Sequence, residues 1–453
     1  MALSGLEIYK LLPKTNCKEC GQPTCLAFAM KLASKQAELS ACPYVSEESK
    51  AALESAGAPP IRLVTVGAGD KKIEVGNETV CFRHEKTFYH QPGIVVRVKD
   101  TQSADEVAAT VQKVGSYEVE RVGMQLTMNG IAIENASGNA QTFAKCVELV
   151  KSKTDLPLVL MSQDPAAMEA ALSAAGDVQP LIYAATNENW EAMAGLAKKF
   201  KAPLAISGKN DLSALATLAD QVSKAGVADL VIDVEAPNAS VSLAAMTQIR
   251  RLALKKNFRP LGFPMITFPS RFANTAEEEA IIAAQQIAKY SGVIVLDNFD
   301  PTLVYPLLTL RQNIYTDPQK PIQVKPDLYT FGDPTEKSPL LITTNFSLTY
   351  FTVAGEIEAS GIPTWLLIAD SEGMSVLTAW AAGKFDAEKI AKTVKNSGIA
   401  DKIGHRKLVL PGFVAGMSGE VEEELAGWKI AVGPREAVDI SPYLKGVWTP
   451  DLG

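Results

Sequence analysis

Four cysteines near the start of this 453-residue chain are spaced for metal chemistry. They are Cys17, Cys20, Cys25 and Cys42, in the pattern C-x2-C-x4-C-x16-C-P. Structural zinc sites are usually built from two separated C-x2–4-C pairs or from cysteine and histidine pairs. Here three cysteines share one loop with Gly21 and Pro23, and a distant fourth precedes Pro43, as in cubane iron–sulfur ligation. The pattern favours a 4Fe–4S cluster, with zinc and a disulfide or free thiols as the alternatives.

The surroundings of the motif argue against disulfides. The first ten residues have no basic region followed by an apolar stretch, so they do not resemble a secretory signal. No uncharged apolar run approaches the roughly 20 residues of a membrane span. We therefore expect a cytoplasmic protein, whose thiols stay reduced and bind metal. Cys81 and Cys146 stand alone in the sequence and are predicted to be buried, unreactive thiols.

Composition narrows the possible classes of protein and of binding partner. With 47% hydrophobic and 21% charged residues, the chain is predicted to be globular, with room for about three domains. A net charge of −7 argues against nucleic acid as a partner, because phosphates require a basic face. Only three histidines occur, which excludes histidine-rich metal chemistry.

The first predicted domain, residues 1–57, holds the cysteine loop between two helices. The helices are expected at 5–12 and 26–39, and the second begins directly after Cys25, so its positive end faces the metal. Residues 55–60, SAGAPP, are predicted to be a linker.

The second predicted domain, residues 58–322, alternates apolar runs with amphipathic helices. The runs are 94–98, 119–125, 156–161, 180–184, 203–207, 229–234, 262–267 and 292–297. Eight strands with crossover helices in about 250 residues favour a closed (β/α)8 TIM barrel over an open doubly wound sheet. Residues 72–90 are expected to form a hairpin that plugs the bottom of the barrel.

The third predicted domain, residues 323–453, begins with a proline-rich segment. Five prolines between residues 318 and 339 predict an extended interdomain linker that acts as a hinge. Strands are predicted at 339–343, 363–369, 407–411 and 429–432, each followed by a loop of small residues. Such loops at the carboxyl ends of an open α/β sheet would suit a large planar ligand with amide groups, although ordinary turn chemistry also explains them. No loop matches a nucleotide-binding G-x-G-x-x-G or P-loop motif.

Three stretches resemble the large (gamma) subunit of the corrinoid iron–sulfur protein of the acetyl-CoA decarbonylase/synthase system. They are LLPKTNCKECGQPTCLAFA at 11–29 with ACP at 41–43, TTNF at 343–346, and EGMSVLTAWAAGKF at 372–385. The barrel resembles this family as well, so the likeness covers the whole chain. The cysteine motif alone is shared with other iron–sulfur proteins, whereas the three-part order is much more specific.

The resemblance implies a mixed α/β protein with a small N-terminal iron–sulfur domain, a TIM barrel and a C-terminal α/β corrinoid-binding domain. It implies that Cys17, Cys20, Cys25 and Cys42 bind the 4Fe–4S cluster. It implies corrinoid (cobalamin) contacts at Thr343, Thr344, Asn345, Phe346, Thr349, Gly373, Met374, Ser375, Val376, Gly433 and Pro434. It assigns no catalytic residue.

The resemblance also implies a function and partners. The cobalt would accept a methyl group from methyltetrahydrofolate through a separate methyltransferase and pass it to the nickel centre of acetyl-CoA synthase/carbon monoxide dehydrogenase. The 4Fe–4S cluster would reduce Co(II) to Co(I) for reactivation. The expected partners include a barrel-shaped small subunit, which forms a heterodimer with this chain, and a reductive activator.

The corrinoid is expected to be base-off. The D-x-H-x-x-G loop that supplies a histidine to cobalt in many cobalamin proteins is absent, and His405 is predicted to be a surface residue. Two rival functions stay open. One is a barrel methyltransferase acting on a pterin, with a structural N-terminal cluster or zinc site, which the sequence disfavours because the strand ends lack a dense set of Asp, Asn and Lys. The other is an electron-transfer module without corrinoid.

Overall fold

The computed structural model describes residues 5–34, 36–46, 49–50, 53, 59–317 and 322–448. The chain divides into two compact units. The first comprises Met1–Tyr117 and Met128–Tyr315, and the second comprises Glu118–Thr127 and Thr316–Gly453.

Two helices frame the cysteine loop at the start of the first unit. Helix α1 spans Gly5–Leu11 and helix α2 spans Cys25–Ala33. They pack around Phe28 and Ala29, both fully buried. Helix α2 therefore begins at Cys25 and ends earlier than the predicted residue 39, and a 3-10 turn at Leu39–Ala41 leads to Cys42. Most of the predicted linker at 55–60 lies outside the described residues.

A closed barrel of eight parallel strands follows, as predicted. The strands before residue 300 are β1 (Val64–Val66), β2 (Ile73–Val75), β3 (Gly93–Lys99), β4 (Glu118–Arg121), β5 (Met124–Thr127), β6 (Gly130–Glu134), β7 (Leu158–Met161), β8 (Leu181–Ala185), β9 (Leu204–Ser207), β10 (Leu230–Asp233), β11 (Met265–Thr267) and β12 (Ser291–Leu296). Around the barrel the order is β3-β6-β7-β8-β9-β10-β11-β12. Crossover helices are α3 (Ala104–Gly115), α4 (Ala140–Lys153), α5 (Pro165–Ala175), α6 (Trp190–Phe200), α7 (Leu212–Lys224), α8 (Ala239–Lys256), α9 (Ala276–Ala288) and α10 (Pro301–Ile314).

One predicted barrel strand, at residues 119–125, is wrong. That segment forms the antiparallel hairpin β4–β5 and belongs to the second unit, while the barrel strand is β6. Val122 and Gly123 both have positive φ, 56° and 67°, as the two-residue turns of hairpins require. Charges alternate along β4, so its burial is partial, whereas β6 is a short, buried apolar run.

The N-terminal end of the barrel is closed by the hairpin β1–β2, which lies earlier in the chain than the predicted 72–90. Ile73 packs against Gly93, where an added Cβ would lie 2.8 Å from an Ile73 methyl carbon. Val75 lies similarly close to Gly292. Glycine at these strand starts makes room for the hairpin.

The second unit is an open sheet covered on both faces. Its strands are β13 (Leu328–Phe331), β14 (Leu340–Thr344), β15 (Thr364–Ala369), β16 (Lys407–Leu410) and β17 (Lys429–Val432), in the order β13-β15-β14-β16-β17. Its helices are α11 (Ser347–Ser360), α12 (Val376–Ala381), α13 (Ala387–Asn396), α14 (Ser418–Glu424) and α15 (Ile440–Gly446). The four strands predicted from sequence are parallel, and β13 is an antiparallel edge strand that was not predicted.

The proline-rich segment is not a free linker over its described part. Residues 318–321 lie outside the described residues, but Val324 N–H donates to Asn345 O at 2.9 Å, and β13 pairs with β15. Prolines are tolerated here because β13 is an edge strand and they lie outside it. Residues 322–339 therefore belong to the sheet rather than to a hinge.

Candidate metal and cofactor sites

The cysteine loop is tightly folded ahead of α2. Lys14, Asn16, Lys18 and Gly21 all have positive φ, between 48° and 73°. Asn16 Oδ1 accepts the backbone N–H of Cys25 at 2.8 Å, which ties the loop to the helix start. The loop is thus shaped by its backbone and needs residues that tolerate the left-handed region.

The four motif cysteines lie in one small region and are free thiols. Cys25 is buried among the core residues of the two helices, and Cys20 and Cys42 pack against the same cluster. Cys17 lies in the same loop, and Tyr44, two residues after Cys42, donates its hydroxyl to Glu19 of this loop at 2.8 Å, a hydrogen bond that raises the pKa of Tyr44. Among the described residues, no three His, Cys, Asp or Glu side chains are arranged to hold a single metal ion.

The other two cysteines are buried, as predicted. Cys81 is 2% exposed and Cys146 8% exposed. Burial raises the pKa of Cys146 to about 11, so this thiol stays protonated and unreactive at neutral pH.

A cavity of about 340 Å³ opens at the carboxyl ends of β14, β16 and β17 in the second unit. Its lining residues are Leu341, Ile342, Thr343, Phe346, Leu348, Thr349, Thr352, Val353, Ser375, Val376, Leu377, Val409, Leu410, Pro411, Phe413, Gly433, Pro434, Arg435, Glu436, Ala437 and Ile440. Most are apolar. This is the edge at which open α/β sheets bind ligands.

Seven of the eleven sequence-predicted contact residues line this cavity. They are Thr343, Phe346, Thr349, Ser375, Val376, Gly433 and Pro434. The structure therefore brings three separate predicted loops to one cavity.

The other four predicted residues do not line the cavity. Asn345 is 1% exposed, and its Oδ1 accepts the N–H groups of Ser371 and Gly373 at 2.9 and 3.0 Å. Met374 packs against the core on one side of the sheet. Thr344 is fully buried, and its hydroxyl has no hydrogen-bond partner within the described ranges. Asn345 thus holds the loop that carries Ser375 and Val376.

Sequence reasoning missed the apolar rim of the cavity. Leu348, Leu377 and Phe413 line it, and they are 66%, 45% and 42% exposed. Each follows directly after a small-residue loop, at a helical position where an exposed apolar side chain is unusual. An apolar residue at such a position was the sequence feature that could have predicted the rim. The two charged lining residues, Arg435 and Glu436, were also missed.

Helix α11 begins at the cavity without a side-chain cap. Its N-cap is Phe346, which has no capping oxygen. Most barrel helices instead begin with a side chain that accepts a backbone N–H of the first turn. These caps are Ser103, Asn139, Asp164, Asp211, Asn238, Thr275 and Asp300. Ser347 N–H donates to Ile322 O at 3.2 Å, whereas within the described residues the N–H groups of Leu348 and Thr349 remain available to hydrogen-bond acceptors on a ligand.

His405 is not a surface residue, contrary to the prediction. It is 4% exposed; Nε2 lies 2.9 Å from Ser338 O, and Nδ1 accepts the N–H of Lys407 at 3.2 Å. It precedes β16, at the opposite end of this strand from the cavity. Two neighbouring backbone groups therefore occupy both ring nitrogens.

The carboxyl end of the barrel is more polar than the sequence suggested. Arg97, within β3, pairs with Asp297, which directly follows β12, and lies 3.3 Å from Glu134, the last residue of β6. Tyr183 donates to Asp233 at 2.7 Å, and Arg271 binds the same carboxylate at 2.8 Å. Asp300 caps α10. The sequence-based statement concerned Asp, Asn and Lys alone and did not anticipate the arginine and glutamate side chains found here.

The fold and these sites define a class: a cysteine-motif module and a (β/α)8 barrel combined with an open-sheet unit that has a ligand-sized apolar cavity. A family model described as "CO dehydrogenase/acetyl-CoA synthase delta subunit" matches residues 63–444, and one described as "Putative Fe-S cluster" matches residues 12–44. The chain belongs to the family of corrinoid/iron–sulfur protein large subunits and acetyl-CoA decarbonylase/synthase gamma subunits, which confirms the resemblance.

The similar proteins match over almost their full length. The "Corrinoid/iron-sulfur protein large subunit" of Moorella thermoacetica is 46% identical over 98% of this chain and 99% of its own. The "Acetyl-CoA decarbonylase/synthase complex subunit gamma" of Methanopyrus kandleri is 37% identical over 98% and 97%, and that of Archaeoglobus fulgidus is 36% identical over 99% of each chain. Within the part of the chain that the structure describes, no helix is long and apolar enough to cross a membrane.

Proposed function

We propose that this chain is a methyl carrier of the reductive acetyl-CoA (Wood–Ljungdahl) pathway, with a corrinoid in the cavity of the second unit and a 4Fe–4S cluster at the four motif cysteines. The observation that carries the proposal is the cavity itself. It is formed by the predicted loops, at the ligand-binding edge of an open sheet, in a chain that is 46% identical to a relative named a corrinoid/iron–sulfur protein large subunit.

The lining of the cavity suits a corrinoid in its mixture of apolar and hydroxyl side chains. Phe346, Leu377 and Phe413 supply apolar surface for a large ring, and burial of that surface favours binding. Thr343, Thr349 and Ser375 supply hydroxyl groups, and α11 supplies N–H groups, for the amides at the edge of a corrin ring.

The second unit keeps its histidine away from the cavity, which supports a base-off corrinoid. His405 is held by Ser338 and Lys407 at the other end of β16. When bound, the cobalt would accept a methyl group that a separate methyltransferase takes from methyltetrahydrofolate, and would pass it to the nickel centre of acetyl-CoA synthase.

The cysteine loop would hold the cluster with a donor set of four thiolates. Cys20, Cys25 and Cys42 already lie against one core, and Cys17 lies in the same loop as Cys20. The cluster would supply the electron that reduces Co(II) to Co(I) for reactivation. The N–H groups at the start of α2 would face the thiolates and stabilise their negative charge.

The proposed partners follow from this role. They are the small subunit, which forms a heterodimer with this chain, the methyltetrahydrofolate:corrinoid methyltransferase, acetyl-CoA synthase/carbon monoxide dehydrogenase and a reductive activator. The proposed location is the cytoplasm.

Corrinoid loading of the full-length protein tests the proposal. Thr349→Trp puts an indole into the cavity from α11, and we expect at least about a tenfold loss of corrinoid affinity, measured by visible absorption under anaerobic conditions. Ala359→Trp is the matched control, because Ala359 is an exposed residue of the same helix that does not line the cavity. Equal binding by both variants, or no binding by the wild type, would contradict the proposal.

A pterin-dependent barrel methyltransferase is the second candidate. The observation that favours it is the polar carboxyl end of the barrel, where Arg97, Glu134 and Asp297 form an ion-pair cluster. TIM-barrel enzymes place their chemistry at this end. The two candidates differ in whether the chain acquires a methyl group without an added methyltransferase.

A further inference from the structure

Two charged side chains line the cavity, and neither has an ion-pair partner within the described part of the chain. Among the lining residues that the structure describes, Arg435 is the only cation, and Glu436 is the only anion. The Arg435 side chain is exposed, and within the described part of the chain it forms no ion pair or hydrogen bond.

The backbone of Arg435 is fixed at the edge of the cavity. Gly433 N–H donates to Leu410 O at 2.8 Å, and Gly412 N–H donates to Pro434 O at 2.9 Å. These bonds hold the segment after β17 against the segment after β16. An added Cβ at Gly412 would lie 2.8 Å from Arg435 N, so the two segments are in close contact. The guanidinium is therefore attached at a defined place, while its side chain stays free to reach a ligand.

We infer that Arg435 binds the phosphodiester of the corrinoid's nucleotide tail, an inference that rests on the proposed function. The amide groups at the edge of a corrin ring are neutral, and the phosphodiester is the fixed negative charge of a complete corrinoid. Arg435, which has no carboxylate partner among the described residues, is matched to a phosphate by charge and by its fork of N–H donors. Every lower-base variant carries this phosphodiester, so the contact selects complete corrinoids whatever their base.

Glu436 does not cancel this charge. Its backbone is extended, with φ −97° and ψ 141°. In extended backbone, successive side chains leave the chain on opposite sides, and within the described residues no ion pair forms between Glu436 and Arg435 although both line the cavity. Glu436 also provides a control at the neighbouring position, since Glu436→Gln and Arg435→Gln each remove one charge at nearly constant size.

The test compares three ligands that differ in the tail: cobalamin, cobinamide phosphate and cobinamide, the last of which has no phosphate. Dissociation constants are measured with the full-length protein by tryptophan-fluorescence quenching at low salt. We expect Arg435→Gln to weaken cobalamin and cobinamide phosphate about fivefold and cobinamide less than twofold, because the contact is charge-assisted but exposed to water. Arg435→Lys should retain part of the preference, and Glu436→Gln should weaken none of the three.

Each other result overturns the inference. If Arg435→Gln weakens the binding of all three ligands equally, the residue has a general role in the cavity. If it weakens the binding of none, Arg435 does not bind the phosphodiester. The same loss in Glu436→Gln would show that the sign of the charge does not matter. A wild-type protein that binds all three ligands equally well overturns this inference alone, whereas one that binds no corrinoid overturns the proposed function as well.

Discussion

At the residue scale, the observed role of Asn345 differs from its predicted role. The resemblance implied that it contacts the corrinoid, but its side chain is buried and bonded to Ser371, Gly373 and Asp370. The sequence alone predicted a polar residue at the end of this strand. The direction of its side chain was not predictable, because a residue at the end of a strand can face the cavity or the neighbouring loop, and only the paired strands decide which.

Removal of a single motif cysteine should remove the cluster and spare the corrinoid. Cys20→Ala and Cys42→Ala should each abolish reductive activation, because a cubane needs a ligand for each iron. The corrinoid should stay bound, since its cavity lies in the other compact unit. Iron analysis and the rate of Co(II) reduction by a low-potential donor measure the two effects.

Cys146→Ser is the control for this experiment. Cys146 is a buried barrel thiol with a raised pKa, so this change should leave iron content and reduction unaffected. Loss of corrinoid from a folded Cys20→Ala protein would contradict the separation of the two sites.

His405 should have no effect on cobalt. Because both ring nitrogens face backbone groups away from the cavity, the bound Co(II) corrinoid should show no nitrogen superhyperfine splitting in electron paramagnetic resonance. His405→Gln should give the same spectrum as the wild type. A triplet splitting in the wild type would contradict the base-off prediction, and its disappearance in His405→Gln would assign the axial nitrogen to His405.

At the element scale, the sequence predicted the barrel but not all of its strands. Periodicity gave eight parallel strands, yet residues 119–125 alternate like a strand and belong to the hairpin β4–β5, while β6 is only five residues long. Both segments have strand-like patterns, and local periodicity cannot tell which of them pairs with β3 and β7. Likewise, β13 was not predicted, because the prolines around it are compatible with a linker as well as with an edge strand.

The loop between β15 and α12 should depend on Asn345. Asn345→Ala removes the acceptor of three bonds within a buried site, and we expect about 3 kcal/mol of lost stability in the second unit. Denaturant unfolding followed by tryptophan fluorescence reports this unit, because it holds four of the chain's five tryptophans, Trp365, Trp380, Trp428 and Trp448.

Asn396→Ala provides the comparison, since Asn396 is exposed at the end of α13 and should be nearly neutral. If both alanine variants unfold at the same denaturant concentration as the wild type, the Asn345 bonds do not stabilise the loop.

At the scale of the whole molecule, the second unit is built from two separate stretches of chain. The hairpin Glu118–Thr127 is part of it, so the chain passes between the units after Tyr117, after Thr127 and after Tyr315. A single hinge at residues 318–339 is therefore insufficient for the domain motion that the sequence suggested. Any such motion would also bend the chain on both sides of the hairpin.

Cleavage between the units should not release the second one. Gly123 of the hairpin lies close to Lys325 and Tyr329, and burial, with Glu120 among the nearby charges, raises the pKa of Tyr329 to about 12. After cleavage at a specific protease site inserted at residues 318–321, we expect the two pieces to elute together in size-exclusion chromatography and to separate only in denaturant.

The control replaces Glu118–Thr127 with a short glycine–serine linker before the same cleavage. That protein should fall apart into two pieces without denaturant. Free separation of the pieces when the hairpin is intact would show that the hairpin does not hold the second unit.

Methyl uptake in a single turnover tests the central claim most directly. The reduced, corrinoid-loaded protein is incubated with [13C-methyl]tetrahydrofolate, with and without the separate methyltransferase, and bound label is measured per chain by mass spectrometry. A methyl carrier predicts about one label per bound corrinoid only when the methyltransferase is present, and in Thr349→Trp only as much label as this variant still binds corrinoid. Label acquired without the methyltransferase, or label in Thr349→Trp that exceeds its bound corrinoid, would contradict the account and favour a barrel methyltransferase.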